Sequence, residues 1–342
     1  MLQFRNDYCM GAHPKVLEAL FATNLEGNVG YGADDYCARC ADLIRDLCQA
    51  PQADVQFLIG GTQANFTAIA AFLRPWEGVI CAQSGHINGH EGGAVEATGH
   101  KLFQVSAGPD GKVTPAAIEP VVRMCADPHV AKAAMVYISD ATETGGVYTL
   151  AELEALSACC RKNGLLLFLD GARLGSALTA SDNDVTLPDL ARLCDAFYIG
   201  GTKNGALMGE ALVIVKPELQ QDFFRIKKQR GAVLAKGWLL GVQFQALLEK
   251  GLYWDMARHA NAMAGRLQAG LIAKGYAMLN ETTTNQIFPI VPRTLLETLD
   301  RVCAYEIWSE LSDREVAVRF VTCFTTTEAD VDSLLATLPE KL

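Results

Sequence analysis

Residues 165–173 read Leu165-Leu166-Leu167-Phe168-Leu169-Asp170-Gly171-Ala172-Arg173. Their five consecutive apolar residues predict a strand buried on both faces, as in a parallel sheet covered by helices. A second apolar run, 196–199, leads through two glycines and a threonine to Lys203. Because ligands of open α/β sheets bind at the carboxyl ends of strands, Asp170 and Lys203 are candidates for one ligand site.

The pair of Asp170 and Lys203 indicates a cofactor, pyridoxal 5'-phosphate (PLP). A lysine amine bonds covalently to the aldehyde of PLP, and a carboxylate keeps its pyridine nitrogen protonated so that the ring accepts electrons. The alternative for Asp170 is a helix cap, but a carboxylate directly after five apolar residues needs a polar partner. The alternative for Lys203 is a surface lysine, although the glycines around it permit close approach of a ligand.

A glycine-containing turn after an earlier apolar run is a candidate phosphate site. The segment reads Leu58-Ile59-Gly60-Gly61-Thr62-Gln63-Ala64-Asn65. It predicts a strand that runs into a helix, where free N–H groups and the Thr62 hydroxyl would bind a phosphate. The pattern is not GxGxxG, which disfavours a dinucleotide, and tight packing is the alternative reason for the glycines.

Three polar residues after or within apolar runs are candidates for binding cofactor or substrate. His86 follows the run 79–82, and its imidazole would stack on a planar cofactor or move a proton, unless it is a hydrogen-bonded structural histidine. Arg173 would bind a substrate carboxylate or a phosphate through its forked N–H groups, unless it forms a structural ion pair. Arg319 lies between apolar residues and needs an anion, either a substrate carboxylate or a buried acidic side chain.

Short apolar runs alternate with helical patterns, which predicts an α/β fold with a large, mostly parallel sheet covered by helices. The predicted strands of this sheet are 55–59, 79–82, 102–105, 134–139, 165–169, 196–199 and 211–215. Residues 231–270 have a largely helical pattern, typical of a helix that links two domains. We therefore predict a large domain at 1–250 and a small α+β domain at 251–342. Its predicted elements are strands at 276–279, 286–291 and 316–321 and a last helix at 328–338.

The composition disfavours several classes of protein. The chain has 342 residues, of which 50% are hydrophobic and 20% charged, as in globular proteins. Its net charge of −10 disfavours nucleic acid and anionic membranes as partners. No apolar run approaches the ~18 residues of a membrane span and the first residues lack a signal-peptide pattern, so we expect a cytoplasmic protein. The 11 cysteines are irregularly spaced, and the pair Cys37 and Cys40 lacks a second pair at zinc spacing, so we expect no metal site.

Taken in order, these residues resemble the low-specificity L-threonine aldolases, a family of fold-type-I, aspartate aminotransferase-like PLP enzymes. The markers are Tyr31-Gly32 with Asp34, Gly60-Gly61-Thr62 with Asn65, His86 with Glu91-Gly92-Gly93, Asp170-Gly171-Ala172-Arg173, Thr202-Lys203 and Arg319. The resemblance covers nearly the whole chain and implies a PLP-dependent transferase-like fold. It also implies a homodimer or homotetramer in which Tyr31 lies near the site of the neighbouring subunit.

On the cofactor side, the resemblance implies one role for each residue. Lys203 bonds to PLP, Asp170 contacts the pyridine nitrogen and His86 stacks on the ring. Gly61 and Thr62 hold the phosphate.

On the substrate side, the resemblance implies that Arg173 and Arg319 hold the substrate carboxylate. Three positions depart from the family pattern. Asn6 stands where the family usually has a serine that helps to hold this carboxylate, and Ala33 stands where it often has a glutamate. Glu143 stands where it often has a histidine assigned to the substrate hydroxyl.

The implied reaction is the cleavage of L-threonine, L-allo-threonine and related β-hydroxy-α-amino acids to glycine and an aldehyde. A base removes the proton of the β-hydroxyl as the Cα–Cβ bond breaks, and His86, Glu143 or a water are candidates. Because one fold supports several chemistries, the alternatives are a β-eliminating lyase and an aldolase for bulkier substrates. A non-catalytic PLP-binding regulatory protein is a further alternative, which the intact pair of Asp170 and Lys203 disfavours.

Overall fold

The computed structural model describes residues 1–340. The strands are β1 (Leu2–Gln3), β2 (Asp54–Leu58), β3 (Glu77–Ala82), β4 (Lys101–Val105), β5 (Lys132–Ser139), β6 (Leu166–Asp170), β7 (Ala196–Gly200), β8 (Glu210–Ile214), β9 (Gln286–Ile287), β10 (Ile290–Pro292), β11 (Cys303–Ala304), β12 (Glu306–Glu310) and β13 (Glu315–Val321). The α-helices are α1 (Pro14–Thr23), α2 (Asp35–Leu47), α3 (Gly61–Phe72), α4 (His86–Gly89), α5 (Pro115–Met124), α6 (Leu150–Asn163), α7 (Leu174–Leu178), α8 (Leu187–Leu193), α9 (Phe223–Gln229), α10 (Trp238–Leu248), α11 (Leu252–Ala273), α12 (Leu296–Val302) and α13 (Glu328–Thr337). Short 3₁₀ helices lie at Glu96–Thr98, Pro217–Leu219 and Arg293–Leu295.

The large sheet has seven strands in the order β2-β8-β7-β6-β5-β3-β4. Neighbouring strands are parallel except at β8, which runs antiparallel to both β2 and β7. Each of the seven apolar runs predicted to form this sheet overlaps one of its strands. The prediction of an α/β fold with a mostly parallel sheet is therefore confirmed.

The central strand β6 is buried on both faces, as its unbroken apolar run requires. Leu167 and Leu169 pack into the hydrophobic core on one side of the sheet, whereas Phe168 packs into the core on the other side. Because these three side chains are buried in the two cores, the end of β6 is the first position where a polar side chain can reach a ligand. Asp170 occupies that position.

The helical region at 231–270 consists of two helices rather than one. Helix α10 ends at Leu248 and α11 begins at Leu252. Gly251 separates them in a left-handed conformation with φ of 75°, which glycine adopts without the steric cost that a Cβ would impose. The break falls at the predicted domain boundary near residue 250, and the division into two domains stays a prediction. No helix within residues 1–340 has the length and the apolar character needed to span a membrane.

A second, small sheet has the order β10-β13-β12, with β9 also paired to β13. The predicted strand 276–279 is wrong, since only an isolated bridge between Met278 and Pro289 forms there. The predicted strand 286–291 is divided into β9 and β10, because Pro289 lacks the N–H group that would continue the ladder. The first strand, β1, pairs with β11, so the start of the chain joins the C-terminal part of the molecule.

Candidate active site

A cavity of about 440 Å³ lies at the carboxyl ends of the parallel strands and reaches the small sheet. Its lining residues are Tyr8, Gly61, Thr62, His86, His90, Ser139, Ala141, Glu143, Asp170, Ala172, Arg173, Tyr198, Thr202, Lys203, Glu210, Glu306, Trp308 and Arg319. All of the predicted site residues line it except Asn6 and Tyr31. Strands distant in sequence thus bring the predicted cofactor and substrate residues together.

Asp170 is a buried carboxylate surrounded by hydrogen-bond donors. The Tyr137 hydroxyl donates to its Oδ2 atom at 2.5 Å and the Asn65 amide donates to the same oxygen at 2.9 Å. The backbone N–H of Ala172 donates to Oδ1 at 2.9 Å. Burial by itself raises the pKa of Asp170, but hydrogen bonds, led by that from Tyr137 and followed by that from Tyr198, bring the pKa below its ordinary value. The carboxylate is therefore ionised and suited to hold a cationic ring nitrogen.

Lys203 faces the cavity without a hydrogen bond or an ion pair to any of residues 1–340. Burial lowers the pKa of its ammonium group, and the nearby Arg173 lowers it further. The carboxylates of Asp7, Asp170 and Glu210 oppose this effect. A lysine with a lowered pKa supplies the neutral amine needed to bond with an aldehyde.

Glu210 is a buried carboxyl group that the sequence reasoning missed. It begins β8 opposite Gly200 of β7, and the reversed direction of β8 brings this first residue to the same edge as the ends of the parallel strands. Burial raises the pKa of Glu210, and its Oε2 atom has no hydrogen-bond partner within residues 1–340. The sequence contains a pattern that could have identified Glu210, which directly precedes the apolar run 211–215.

The start of α3 forms a site for a phosphate. Gly60 precedes the helix and no side chain of residues 1–340 caps its first turn, so the backbone N–H groups there remain available for an anion. A Cβ atom at Gly61 would lie 3.0 Å from the Tyr198 hydroxyl oxygen. This hydroxyl is buried, lines the cavity and lies close enough to Asp170 to lower the pKa of that carboxyl group. The backbone N–H groups at the start of α3 and the Thr62 hydroxyl fit the phosphate of PLP.

His86 is oriented by a carboxylate network behind it. Its Nδ1 atom lies 2.8 Å from Oε1 of Glu91, and the Asn65 amide donates to the same oxygen at 2.8 Å. Because Asn65 also binds Asp170, one amide links the two residues assigned to the cofactor ring. The backbone N–H of His86 donates to Glu143 at 2.9 Å. His86 is thus held at the cavity wall, where a planar ring would lie against it.

Arg173 forms a two-pronged ion pair with Asp7. Its Nε atom donates to Oδ2 of Asp7 at 2.8 Å and its Nη2 atom donates to Oδ1 at 3.0 Å. Asn285 donates to the same carboxylate at 2.9 Å. The Asp7 side chain is only 1% exposed, and the sequence reasoning did not identify it. The Nη1 group of Arg173 makes no hydrogen bond within residues 1–340 and is the one that remains for a substrate carboxylate.

Arg319 lies on β13, on the opposite side of the cavity. Its Nη2 atom donates to Glu306 of β12, and its Nη1 atom donates weakly to Gln286 at 3.4 Å. Its guanidinium lies over the Trp308 ring at 5.3 Å from the ring centre. The anion that the sequence required for Arg319 is thus an acidic side chain in this structure, at the cavity where a substrate would bind.

Asn6 and Tyr31 lie outside the cavity lining. The Asn6 side chain accepts a hydrogen bond at 3.0 Å from the N–H of Tyr8, so it shapes the turn that presents Tyr8 to the cavity. Tyr31 is 53% exposed, and the ammonium of Lys228 lies over its ring at 4.6 Å. The predicted roles of both residues toward the substrate stay predictions.

Comparison with known proteins agrees with this site. The family profile described as beta-eliminating lyase matches residues 3–293. A low specificity L-threonine aldolase of Pseudomonas sp. (strain NCIMB 10558) is 33% identical over 338 residues, which cover 98% of this chain and 96% of that protein. The structure of a Leishmania major threonine aldolase superposes with a TM-score of 0.97 at 44% identity and covers 98% of both chains.

A more distant structure supports the fold alone. A Thermus thermophilus aspartate aminotransferase is 16% identical and superposes with a TM-score of 0.73 over 98% of this chain and 91% of its own. The predicted aspartate aminotransferase-like architecture is therefore confirmed. The chain belongs to the beta-eliminating lyase family, in the group of the low-specificity threonine aldolases, which are PLP-dependent enzymes.

Proposed function

We propose that this protein cleaves β-hydroxy-α-amino acids, with L-threonine and L-allo-threonine as main substrates, into glycine and an aldehyde. One observation carries the proposal: Asp170 and Lys203 face the same cavity as the guanidinium groups of Arg173 and Arg319. This cavity has a charge partner for an electron-accepting ring, an amine for its attachment and cations for a substrate carboxylate. The names of the Pseudomonas and Leishmania relatives support the same activity.

The residues present fit PLP. Gly61, Thr62 and the start of α3 would hold its phosphate, Asp170 its ring nitrogen, His86 its ring face and Lys203 its aldehyde carbon. When bound, PLP would supply an electron-accepting ring that weakens the bonds to Cα of the substrate. Since Asp170 stays ionised, it favours the protonated ring nitrogen on which this effect depends.

The chain's own groups orient the substrate and move the proton. Arg319 and the free N–H of Arg173 bind the carboxylate, which fixes Cα in the cavity. We assign the removal of the β-hydroxyl proton to Glu143, which lines the cavity. Its Oε1 atom accepts hydrogen bonds from the Ser139 hydroxyl at 2.7 Å and from the backbone N–H of His86 at 2.9 Å. Its Oε2 atom accepts no hydrogen bond from residues 1–340. Burial raises the pKa of Glu143, which makes its carboxylate a stronger base.

An assembly of at least two subunits forms part of the proposal. The segment that holds Tyr31 carries apolar side chains in solvent, with Phe21 85%, Leu25 96% and Val29 64% exposed. Such a patch is typical of a surface that a partner covers. We propose a homodimer or homotetramer in which Tyr31 of the partner subunit reaches the cavity. A cytoplasmic location remains our prediction.

The test is to supply the purified PLP-loaded protein with L-threonine, L-allo-threonine, L-serine and L-phenylserine and to identify the products. We expect glycine with acetaldehyde from both threonines. Because the family name includes β-elimination, the informative alternative is the formation of pyruvate and ammonia from L-serine. Formation of keto acids without glycine would replace the aldolase proposal by that of a β-eliminating lyase.

A further inference from the structure

The two arginines assigned to the substrate carboxylate are held in different ways. Arg173 has two bonds to Asp7, which is 1% exposed and also bound by Asn285. Arg319 has one bond to Glu306, whose side chain is 40% exposed. A buried carboxylate with three donors has no route to solvent, whereas a partly exposed carboxylate with one donor can turn away into water. Of the two carboxylates that pair with these arginines, that of Glu306 is the one that can separate from its arginine.

The position of Glu306 follows from the register of the small sheet. Glu306 of β12 lies directly opposite Arg319 of the antiparallel strand β13, so that both side chains project from the same face. An irregularity follows between Ile307 and Ser309, and the residue at this bulge is Trp308. Glu306, Trp308 and Arg319 all line the active-site cavity. The carboxylate of Glu306 therefore binds Arg319 inside the space that a substrate enters.

Not all N–H groups of the Arg319 guanidinium form hydrogen bonds within the described part of the chain. Its side chain is 12% exposed, its Nε atom is buried without a hydrogen-bond partner within residues 1–340, and its bond to Gln286 is long at 3.4 Å. A guanidinium offers five N–H donors in a planar fork that matches a carboxylate. One bond to Glu306 leaves this fork largely unsatisfied, so a second, better placed carboxylate has room to replace the first.

We propose that Glu306 is an internal competitor for the substrate, whose carboxylate displaces that of Glu306 from Arg319. The inference rests on the proposed function, in that it takes Arg319 as a binding group for an amino-acid carboxylate. Each binding event exchanges one ion pair at Arg319 for another. The exchange weakens substrate affinity, and it leaves Arg319 paired while the site is empty.

The test compares Glu306→Gln with wild type in the PLP-loaded protein. Two probes are titrated and followed through the visible absorbance of the bound cofactor: glycine, which has an amine and a carboxylate, and ethylamine, which has the amine alone. Glutamine keeps the size of the side chain and removes the competing charge. We expect glycine to bind about two- to five-fold more tightly to the variant, the range of a partly exposed ion pair. Ethylamine should bind equally to both proteins.

Glu310→Gln is the matched control. Glu310 lies on the same strand, β12, and also pairs with an arginine, Arg293, but it does not line the cavity. This variant should leave both titrations as in wild type. The KM for L-threonine should fall with Glu306→Gln by the same factor as the glycine constant.

Three outcomes would overturn the inference. Unchanged glycine binding in Glu306→Gln would mean that no competition exists. Weaker glycine binding would identify Glu306 as a residue that positions Arg319. An equal gain for glycine and ethylamine would identify a general effect of charge. A wild-type protein that cleaves no threonine would refute the proposed function, while the two titrations would still decide the role of Glu306.

Discussion

The large and the small sheet present charged groups to the same cavity in opposite ways. At the edge of the large sheet, Asp170 is buried and accepts hydrogen bonds from Asn65 of α3, from Tyr137 of β5 and from the N–H of Ala172 in its own turn. At the edge of the small sheet, Arg319 is held by one ion pair with the half-exposed Glu306. Asp170, to which we assign the charge that holds the cofactor ring, is thus fixed by several partners. Arg319, which we propose exchanges Glu306 for the substrate carboxylate, is held by few.

Lys203→Ala should abolish activity, because no other amine lines the cavity among residues 1–340. In the wild-type protein, borohydride should fix PLP on Lys203, as located by mass spectrometry of the digested chain. Lys216→Ala is the control and should keep its activity. Lys216 follows β8, the strand next to β7, and pairs with Asp195 outside the cavity. A label on another lysine would refute the assignment on which the cofactor side rests.

Asp170→Asn should reduce kcat by roughly 10²- to 10⁴-fold, in the range of lost electrostatic and acid–base contributions. The amide keeps the shape of the side chain but removes the charge that holds the ring nitrogen protonated. PLP should still bind, as its visible absorbance would report. Turnover close to that of wild type would show that the buried carboxylate has only a structural role.

Asp7→Asn should destabilise the fold by about 3 kcal/mol, because it leaves the Arg173 charge buried without its ionised partner. Asp255→Asn removes the exposed pair with Arg258 and should cost less than ~1 kcal/mol. Burial opposes ionisation of Asp7, but Arg173 and Lys203 bring its pKa below the ordinary value of 3.8. Its contribution to stability is therefore complete above the ordinary pKa and is lost as the pH falls through the lowered one.

Denaturant titrations at several pH values would measure both effects of Asp7→Asn. The stability difference between wild type and the variant should be constant at neutral pH and shrink in strong acid. A difference that grows as the pH falls would contradict the ionised pair.

Glu143→Gln should lower kcat/KM by about 10²-fold, the lower end of the contribution of a general base. A base acts when deprotonated, and burial raises the pKa of Glu143. The acid limb of the wild-type pH profile should therefore lie above the ordinary glutamate pKa, and the variant should lose this limb. A variant that keeps both the rate and the limb would assign the proton transfer to His86 or to a water.

The smallest effect concerns the β-carbon of the substrate. In the proposed site, two arginines and the ring fix the groups on Cα, whereas the β-carbon is held only by its hydroxyl and a methyl group. Because one methyl group in a pocket discriminates by roughly 1–3 kcal/mol, L-threonine and L-allo-threonine should differ by less than about 100-fold in kcat/KM. D-threonine should not be cleaved. Kinetics on the four stereoisomers would test both statements, and a much larger preference between the L-forms would imply further contacts to the β-carbon.

Much of the site could be predicted because its residues follow local patterns. Asp170 ends an apolar run, Lys203 lies in a glycine-rich turn after another, and Gly61 begins a helix after a third. The amino acids on either side of each residue carry this information. Glu210 has a similar pattern and was missed, because its strand enters the sheet in the reverse direction.

The ion pairs could not be predicted in the same way. Arg173 and Asp7 are 166 positions apart, and no local pattern relates them. Glu306 meets Arg319 through the register of β12 and β13, which the sequence pattern did not reveal because the strand β12 was not predicted. The sequence indicated that both arginines need an anion, and only the folded chain shows which one each has.

Local composition is enough to predict the strands of the large sheet and the chemical groups at their ends, because burial on two faces demands an unbroken apolar run. Packing of the folded chain sets the direction of β8, the partners of Arg173 and Arg319, and the hydrogen bonds that keep Asp170 ionised. Whether a segment becomes a buried strand depends mainly on the apolar residues within that segment, so it can be read from a short stretch of sequence. Ion pairs and hydrogen bonds depend on distances of a few ångströms between segments that packing brings together.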